Sequence, residues 1–426
     1  MRFIKPSRVS GTIDAPPSKS MMQRAVIAAA LSDGETLITN PSFCDDALAA
    51  MRVVEALGAK VKREEGGVRI TGMPKPGTGN RKPDAGGGVL DCGESGTLMR
   101  MISAVAALYD REFTITGRGS LMKRPVGMIE KPLRMLGAEC STNGGFPPLK
   151  VRGPLQGGKV EVDGSESSQF VSGLLLALPL CTEDSELNAL GLKSREYVGM
   201  TWETLTRFGV RIEKDMHVKP RERRDRYFIK GGQRYRAGKF RVDGDWSGAA
   251  FLLVAGAIAG EAEVRQLGFG QPDSAIMDAL FDAGAKTELE CDVARVKGGK
   301  LRAFEFDASD CPDLFPPLAV LACNCEGTSV IRGASRLRHK ESDRAAVLAQ
   351  ELGGLGADIK VIGDRMEVSG GKLRGGRMNP HGDHRIAMAA AAAALNSEKG
   401  VEIEDEDCVS KSYPGFFEDL EKLVER

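Results

Sequence analysis

The sequence predicts a mixed α/β fold of two domains, each built from three copies of one strand–helix unit. Three observations support this prediction: apolar helices that recur along the chain, amphipathic helices that each end at a glycine, and alternating stretches typical of β-hairpins. The predicted unit runs strand, buried helix, strand, exposed helix and two further strands. Helices and strands are therefore expected to alternate throughout both domains.

The recurring apolar helix is the first of these observations. Residues 16–34, PPSKSMMQRAVIAAALSDG, open with small polar residues and continue as a run of Ala, Val, Ile and Leu. A helix that is apolar on every side must be buried. Five later stretches share this design: residues 93–110, 165–180, 245–260, 312–327 and 382–400.

The glycine-ended helices give the period of the repeat. Five amphipathic stretches end at glycines 72 to 79 residues apart, namely Gly58, Gly137, Gly209, Gly284 and Gly356. Glycine suits the left-handed position that follows a helix. A sustained spacing of this length indicates a repeated supersecondary unit. Residues 60–72 and 358–370, each directly after such a helix, alternate as hairpins do.

The sixth copy ends at a helix, GFFEDLEKLVER, with no strands after it. The N-terminal segment MRFIKPSRVSGTIDA has no helix of its own and could supply the missing strands. We therefore expect one domain over residues 18–238 and another over residues 1–17 plus 239–426. The two crossovers, near residues 14–17 and 237–244, suit a hinge with a cleft that opens and closes.

Composition limits the classes of partner. The 426 residues include 59 basic and 59 acidic side chains, and aromatic residues make up only 5%. This balance argues against a nucleic-acid binder, which normally carries a strong basic excess and stacking aromatics. The locally basic stretch 219–241 is interpreted as a solvated edge strand, with nucleic-acid contact as the weaker alternative.

The cysteines and the N-terminus point to a cytoplasmic protein. Nine scattered cysteines without a Cys-x-x-Cys pair, and four histidines, favour reduced thiols over a disulfide framework or a zinc site. The N-terminus lacks the apolar core of a signal peptide, and the longest apolar runs are too short to span a bilayer. We expect a monomer without a zinc site and without a membrane partner.

Several helix starts carry groups that suit anions. Lys19 and Arg24 stand in the first turns of the first buried helix, against its dipole and with no acid nearby in the sequence, which suggests that an external anion completes the site. The equally weighted alternative is that both side chains merely reach solvent. Gly96 would let an oxygen approach its amide closely. Ser167, Ser168 and Gln169 add hydroxyls and an amide, although these residues alone favour a plain N-cap over a binding role.

Clusters of mixed charge open later helices. KESDR (residues 340–344) places Glu341 three residues before Arg344, and the alternative interpretation is a surface ion pair. GDHR (residues 382–385) precedes an apolar helix, where burying Arg385 with nothing to bind would be costly. Pro312 and Asp313 place a carboxylate at another buried helix start, where N-capping is the competing role.

These residues, in this order, resemble the 5-enolpyruvylshikimate-3-phosphate (EPSP) synthase family of enolpyruvyl transferases. The resemblance covers essentially the whole chain and rests on ten ordered motifs: PPSKSMMQR, GESGT with MR, a loop ending KRP, GSESSQF, KSREY, GDWSGA, CPD, RHKESDR, DHRIAM and CVSKSYP. It implies a two-domain inside-out α/β barrel with three βαβαββ repeats in each domain. It also implies transfer of enolpyruvyl from phosphoenolpyruvate to shikimate 3-phosphate, without metal or cofactor, in the chorismate pathway.

The resemblance assigns roles to individual residues. Those matching shikimate 3-phosphate contacts are Lys19, Ser20, Arg24, Ser167, Ser168, Gln169, Ser194, Asp313, Arg336 and Lys340. Those matching phosphoenolpyruvate contacts are Lys19, Gly96, Arg124, Gln169, Arg344, Arg385 and Lys411. Asp313 corresponds to the residue that engages the attacking hydroxyl, Glu341 to the proton donor to the methylene carbon, and Lys19 to a third catalytic residue.

Some positions depart from the family pattern. Glu94 stands where Asn is frequent, and we expect its carboxylate to turn away from the phosphate site. Arg336 replaces a frequent Asn, and Gly248 stands in a motif usually richer in serine.

Two other functions compete with this interpretation. One is enolpyruvyl transfer to UDP-N-acetylglucosamine, but Lys19-Ser20 and the loop SLMKR (residues 120–124) differ from that family's Lys-Asn and loop cysteine. The other is a non-catalytic module that binds phosphorylated ligands or RNA ends, against which the presence of both Asp313 and Glu341 argues.

Overall fold

The computed structural model describes residues 1–73, 88–165, 167–215, 224–338 and 340–425. The chain divides into two compact units: unit 1 comprises Met1–Ser18 and Asp243–Arg426, and unit 2 comprises Lys19–Val242. Within the described residues, each unit carries three copies of the strand–helix repeat. Repeats 1 to 3 belong to unit 2 and repeats 4 to 6 to unit 1.

Each repeat has a first helix that is buried along nearly its whole length. These helices are α1 (Lys19–Leu31), α3 (Gly96–Ala106), α5 (Ser168–Ala177), α7 (Trp246–Ala259), α9 (Phe315–Cys323) and α11 (His384–Leu395). Their small apolar side chains form the two hydrophobic cores, one in each unit. Side-chain oxygens of Ser95, Ser167, Asp245 and Asp383 cap four of the helices by accepting a backbone N–H in the first turn.

A second, shorter or amphipathic helix follows in each repeat. These helices are α2 (Asp45–Ala56), α4 (Glu130–Met135), α6 (Arg195–Arg207), α8 (Ile276–Asp282), α10 (Arg344–Gly354) and α12 (Phe416–Leu423). The first five are followed by the glycines that set the sequence period, and each of these glycines has a positive φ, from 78° at Gly209 to 107° at Gly58. The predicted helix ends are therefore confirmed.

Unit 2 contains three four-stranded sheets and a short two-stranded one. Its strands are β3 (Ser32–Asp33), β4 (Glu35–Thr39), β5 (Lys60–Glu64), β6 (Gly67–Thr71), β7 (Val89–Asp91), β8 (Phe113–Thr116), β9 (Glu139–Asn143), β10 (Phe146–Arg152), β11 (Gly158–Asp163), β12 (Ser185–Leu190), β13 (Ile212–Lys214), β14 (Arg224–Ile229), β15 (Tyr235–Arg236) and β16 (Lys239–Arg241). The strand orders are β16-β4-β6-β5, β7-β8-β10-β9, β11-β12-β14-β13 and β15-β3. In each large sheet the first two strands are parallel and the last two form a hairpin.

The basic stretch 219–241 is only in part the predicted edge strand, because residues 239–241 form β16 at the edge of its sheet whereas residues 224–229 do not lie at an edge. Strand β14 lies between β12 and β13, so residues 224–229 form an interior strand. The arginines of this strand reach acidic neighbours, as Arg226 does to Glu186 at 3.5 Å and Asp215 at 3.6 Å. The rest of the most basic part, residues 219–223, lies outside the described residues.

Unit 1 repeats the same topology with one shorter sheet. Its strands are β1 (Arg2–Ile4), β2 (Thr12–Asp14), β17 (Glu261–Arg265), β18 (Lys286–Glu290), β19 (Val293–Lys297), β20 (Glu305–Asp307), β21 (Thr328–Arg332), β22 (Asp358–Ile362), β23 (Arg365–Ser369), β24 (Gly376–Met378) and β25 (Val401–Ile403). The orders are β2-β17-β19-β18, β20-β21-β23-β22 and β24-β25-β1. The antiparallel pairing of β1 with β25 adds a strand from the N-terminus to the sixth repeat.

Two strands reach their sheets from distant parts of the chain. Strand β16 pairs in parallel with β4, so that residues 239–241 provide the first strand of repeat 1 in unit 2. Strand β2 pairs in parallel with β17, with Ile13 opposite Val264, and provides the first strand of repeat 4 in unit 1. The boundary between the units consequently falls after residue 242, four residues beyond the boundary expected from the sequence. No helix in the described residues is long and apolar enough to cross a membrane.

Candidate functional site

Three helix starts in unit 1 bring charged side chains together. Asp313 lies in the turn Pro312–Leu314 before α9, Arg344 is the first residue of α10, and Arg385 is the second residue of α11. Arg344 Nη1 donates to Asp313 Oδ1 at 2.8 Å, and Arg385 Nη2 donates to Asp313 Oδ2 at 2.9 Å. Lys340 Nζ lies 3.4 Å from Asp313 Oδ1. Asp313 therefore binds three cations and does not act as an N-cap.

Arg344 is the centre of this cluster. Besides Asp313, its guanidinium donates to Glu341 Oε2 at 2.7 Å and to Asp383 Oδ2 at 2.7 Å, and only 1% of the side chain is exposed. Burial lowers the pKa of Arg344, but Asp383, Glu341 and Asp313 outweigh this effect and raise the pKa above its usual value. Arg344 thus remains a fixed positive charge.

Glu341 bridges two cations of the same cluster. It accepts from Arg344 and lies 3.5 Å from Lys411 Nζ, and the side chains of Glu341 and Lys411 are both more than nine-tenths buried. The predicted i,i+3 pair of Glu341 and Arg344 exists, but it lies in the interior and not on the surface. The remaining predicted residue of unit 1, Arg336, is half-buried near Asp310 and Asp364, and burial lowers its pKa.

The pKa of Lys340 is lowered, whereas the pKa of Arg344 is raised. Burial lowers the pKa of Lys340, Arg344 and Arg336 act in the same direction, and Asp313 and Glu341 oppose them. The Lys340 ammonium group lies beside the Asp313 carboxylate, 3.4 Å from its Oδ1.

In unit 2, Lys19 has an internal partner that the sequence argument missed. Lys19 opens α1, and its Nζ lies 3.4 Å from Oδ2 of Asp46, a carboxylate of α2 that is 5% exposed. The expectation that no acid lies near this cation is therefore wrong, and the external anion stays a prediction. Asp46 holds the ammonium group in place, and the charge of the pair is close to neutral.

Arg24 joins α1 to α6. Its Nε donates to Thr201 Oγ1 at 2.8 Å, Nη1 to the Ser20 carbonyl at 2.7 Å and Nη2 to the Tyr197 carbonyl at 2.9 Å. The side chain is 1% exposed, and burial lowers its pKa to about 10. Arg24 thereby fixes the first turn of α6, next to Ser194, whose backbone takes the left-handed conformation at φ 53°.

The starts of α3 and α5 meet through an arginine that the sequence analysis did not select. Arg100 Nη1 donates to Gln169 Oε1 at 2.9 Å, and Gln169 Nε2 donates to Thr97 Oγ1 at 2.8 Å. A methyl group added at Gly96 would lie 2.9 Å from Arg100 Nη1 and 3.1 Å from Arg124 Nη1. Gly96 therefore lets two guanidinium groups approach the backbone closely.

The predicted site residues are divided between the two units. Unit 1 contains Asp313, Glu341, Arg336, Lys340, Arg344, Arg385 and Lys411, and unit 2 contains Lys19, Ser20, Arg24, Gly96, Arg124, Ser167, Ser168, Gln169 and Ser194. Ser167 accepts from the Gln169 backbone N–H at 3.2 Å, which confirms its N-cap role. The Glu94 carboxylate packs against Gly119, which has a positive φ of 56°.

The residues that sequence reasoning missed are Asp46 and Arg100. Arg100 had a usable signal, because it is a lone charged residue in an otherwise apolar helix. Asp46 stands 27 positions after Lys19 in a different helix, and no local pattern joins the two. Among the described residues, no group of three or more His, Cys, Asp or Glu side chains is placed to hold a metal ion.

Comparison with known proteins identifies relatives along the whole chain. A family model described as EPSP synthase (3-phosphoshikimate 1-carboxyvinyltransferase) matches residues 4–420. A 3-phosphoshikimate 1-carboxyvinyltransferase from Methanosarcina acetivorans is 40% identical over 99% of this chain and 97% of its own. One of the same name from Thermococcus kodakarensis is also 40% identical, over 99% of this chain and 100% of its own.

Solved structures agree with these sequence relatives. EPSP synthase from Acinetobacter baumannii superimposes with a TM-score of 0.82 at 28% identity, covering 99% of this chain and 97% of that one. The enolpyruvyl transferase NikO from Streptomyces tendae shares the fold, with a TM-score of 0.76 at 16% identity and coverage of 99% and 96%. The predicted fold class is confirmed.

Proposed function

Because the chain belongs to the EPSP synthase family, we propose that it transfers the enolpyruvyl group of phosphoenolpyruvate to the 5-hydroxyl of shikimate 3-phosphate and releases phosphate. The observation that supports the catalytic roles of individual residues is the charged cluster around Arg344 in unit 1. There two carboxylates, Asp313 and Glu341, are each bound by at least two cations. The enzyme is a transferase.

The reaction needs an acid and a base on different groups. In the addition step the 5-hydroxyl oxygen bonds to C2 of phosphoenolpyruvate, loses its proton to a base, and C3 gains a proton. In the elimination step C3 loses a proton, the C2–O bond to phosphate breaks, and the enol ether forms. Asp313 is the proposed base, Glu341 the proposed acid at C3, and Lys19 the cation shared by the substrates.

Glu341 must carry a proton at the right moment although two cations favour its carboxylate. Arg344 and Lys411 are also the proposed ligands of phosphoenolpyruvate. A substrate anion bound to them competes with Glu341 for the same donors and so favours its protonated form. Binding of the substrate thereby prepares the acid that the addition step requires.

A phosphate-release assay tests the function directly. Phosphoenolpyruvate is offered with shikimate 3-phosphate or with UDP-N-acetylglucosamine as acceptor, and release is expected with the first acceptor alone. Release with the second would identify the sister activity. Release with neither acceptor would contradict the proposed activity and would favour a non-catalytic binding module of the same fold.

Replacing Lys19 with Met should weaken the binding of both substrate anions by about tenfold or more, since each loses a charge-assisted hydrogen bond. Isothermal titration calorimetry with each anion measures the effect. Lys62→Met, which removes an exposed ammonium of β5, is the matched control and should bind both anions as the wild type does. An unchanged affinity for either anion in Lys19→Met would contradict the shared position of Lys19.

Replacing Gly96 with Ala should raise the KM for phosphoenolpyruvate by roughly tenfold, because the added methyl group displaces the guanidinium ends of Arg100 and Arg124. The KM for shikimate 3-phosphate should change less. Gly199→Ala is the control, because a methyl group at this helical glycine of α6 meets no atom within 4 Å. Equal changes in both KM values would argue against the placement of Arg124 at phosphoenolpyruvate.

A further inference from the structure

Residues 379–383 lead into α11, and α10 binds this segment at both of its ends. At its last residue, Asp383 accepts from Arg344 Nε at 2.7 Å, and Arg344 is the first residue of α10. At its first residue, the Asn379 backbone N–H donates at 2.9 Å to Oε2 of Glu351, near the end of α10. Arg344 and Glu351 stand seven positions apart and so lie on one face of the helix. That face holds the whole segment.

Glu351 uses both oxygens of its carboxylate on this segment. Its Oε1 lies 2.9 Å from His381 Nε2, and it also accepts from Gln350 Nε2 at 2.9 Å. Because an ionised carboxylate can only accept hydrogen bonds, the imidazole donates from Nε2. The Glu351 side chain is 10% exposed, so these bonds replace most of its contact with water. Glu351 therefore ties two residues of the segment, Asn379 and His381, to α10.

Further hydrogen bonds join the residues of the segment to one another. The His381 backbone N–H donates to Asn379 Oδ1 at 2.7 Å, and the Asp383 backbone N–H donates to the Pro380 carbonyl at 2.9 Å. Asn379 Nδ2 donates at 2.8 Å to Oε2 of Glu404, the residue directly after β25. A displacement of Asn379 or His381 is therefore passed on to Asp383.

The backbone of the segment takes a conformation that needs support from its surroundings. His381 and Gly382 both have positive φ values, 52° and 68°. Glycine adopts such values freely, but a residue with a side chain does so at a cost and keeps them only where surrounding contacts hold it. Glu351 contacts His381 itself and so stabilises the strained residue directly.

The end of the segment sets the position of two arginines of the charged cluster. Asp383 accepts from Arg344, and it caps α11 by accepting the Arg385 backbone N–H at 3.0 Å. Arg385 Nη2 in turn donates to Asp313 Oδ2 at 2.9 Å. Arg344 and Arg385 are both proposed ligands of phosphoenolpyruvate, so a shift of Asp383 would move two groups that bind one anion.

We propose that Glu351 is a positioning residue that fixes residues 379–383 on α10. It thereby aligns Arg344 and Arg385 on phosphoenolpyruvate. The inference rests on the proposed function, in which both arginines bind this substrate. Glu351 lies about two helical turns from Arg344 and acts through the segment, without touching either substrate.

Steady-state phosphate release by Glu351→Ala tests this role. Without the anchor, the KM for phosphoenolpyruvate should rise about five- to tenfold, because the two arginines no longer share one fixed geometry. The KM for shikimate 3-phosphate should change less than about twofold. Glu351→Gln should restore a KM close to that of the wild type, because its amide oxygen still accepts the Asn379 N–H and its NH2 group can donate to the other tautomer of His381.

His381→Asn supplies a second variant, which should fold even where Glu351→Ala does not. Asparagine tolerates the left-handed backbone but is too short to reach Glu351. The KM for phosphoenolpyruvate should rise about two- to threefold, less than in Glu351→Ala, since the bond from Asn379 to Glu351 remains. A wild-type KM in folded Glu351→Ala, or in His381→Asn, would overturn the proposal.

Glu263→Ala is the matched control, because it removes a carboxylate that bonds to another strand of unit 1. Glu263 of β17 is 26% exposed and accepts from Arg295 Nε at 2.6 Å. This variant should lose stability but keep both KM values. An equal rise in the KM for phosphoenolpyruvate in Glu263→Ala and Glu351→Ala would show that general destabilisation causes the effect, and it would overturn the proposed role.

Amide hydrogen exchange tests the anchor without turnover. Peptides that contain residues 379–385 should exchange about tenfold faster in Glu351→Ala than in the wild type, whereas Glu263→Ala should match the wild type there. Unchanged exchange would overturn the proposal, and so would faster exchange with an unchanged KM for phosphoenolpyruvate. Absence of phosphate release from the wild type would overturn the proposed function, whereas the exchange result depends only on Glu351 and the segment.

Discussion

Replacing Asp313 with Asn is expected to lower kcat by about a thousandfold, because an amide cannot accept the proton of the attacking hydroxyl. Substrate binding should survive. The variant keeps Lys340, Arg344 and Arg385, and it removes a negative charge from a group that must bind anions. Steady-state phosphate release gives kcat, and calorimetry with shikimate 3-phosphate gives the affinity.

The control for this variant is Asp307→Asn, which changes an exposed carboxylate six positions earlier and should leave kcat unchanged. If Asp313→Asn loses binding together with turnover, Asp313 contributes chiefly to holding the substrate. If kcat falls only a few-fold, a different group takes the proton. Either result would contradict the role proposed for Asp313.

Replacing Arg344 with Met should destabilise unit 1 by about 3–5 kcal/mol, because it leaves buried carboxylates without their common partner. Asp383 is fully buried and Glu341 is 9% exposed, so water cannot replace the lost hydrogen bonds. Activity should disappear as well, since Arg344 is a proposed ligand of phosphoenolpyruvate. Urea unfolding followed by tryptophan fluorescence measures the loss of stability; a Trp202→Phe background removes the tryptophan of unit 2 and leaves Trp246 of unit 1 as the reporter.

Arg332→Met provides the matched comparison for this prediction. It breaks an ion pair of similar length, 2.8 Å to Glu305, but both side chains are more than half exposed. The expected cost is below about 1 kcal/mol, because water solvates the released carboxylate. Equal shifts in the unfolding midpoints of the two variants would show that burial does not set the strength of the Arg344 cluster.

The parts of the fold that follow from local chemistry could be predicted from the sequence. An apolar helix needs burial on all sides, and a glycine past a helix end relieves a backbone strain that involves only that residue. Both signals depend on a few neighbouring residues. The interior position of β14 could not be predicted, because the identity of a strand's neighbours depends on pairings far along the chain.

In the candidate site, too, some contacts can be predicted from the sequence and others cannot. Asp383 shows the difficulty: its N-cap to the Arg385 backbone N–H can be expected from the motif, but its bond to Arg344, 39 residues away, cannot. Lys19 shows the same difficulty of predicting contacts between different helices, because the helix-dipole argument considered only the helix that carries the lysine. Its counter-ion, Asp46, comes from the next helix.

Strand β2 pairs with β17 and strand β16 pairs with β4, each of them far away in the sequence. These pairings affect the order in which the two units can fold during synthesis. Unit 2 is continuous, and all of its strands are present once residue 242 has left the ribosome. Strand β1 must wait for β25, about 400 residues later, which at the usual rates of translation is roughly 20–80 s. Residues 2–4 have no partner strand throughout that interval, and residues 12–14 have none until β17, about 250 residues after them, has been made, while unit 2 can already be folded. The N-terminal segment of this chain is thus made first and incorporated last.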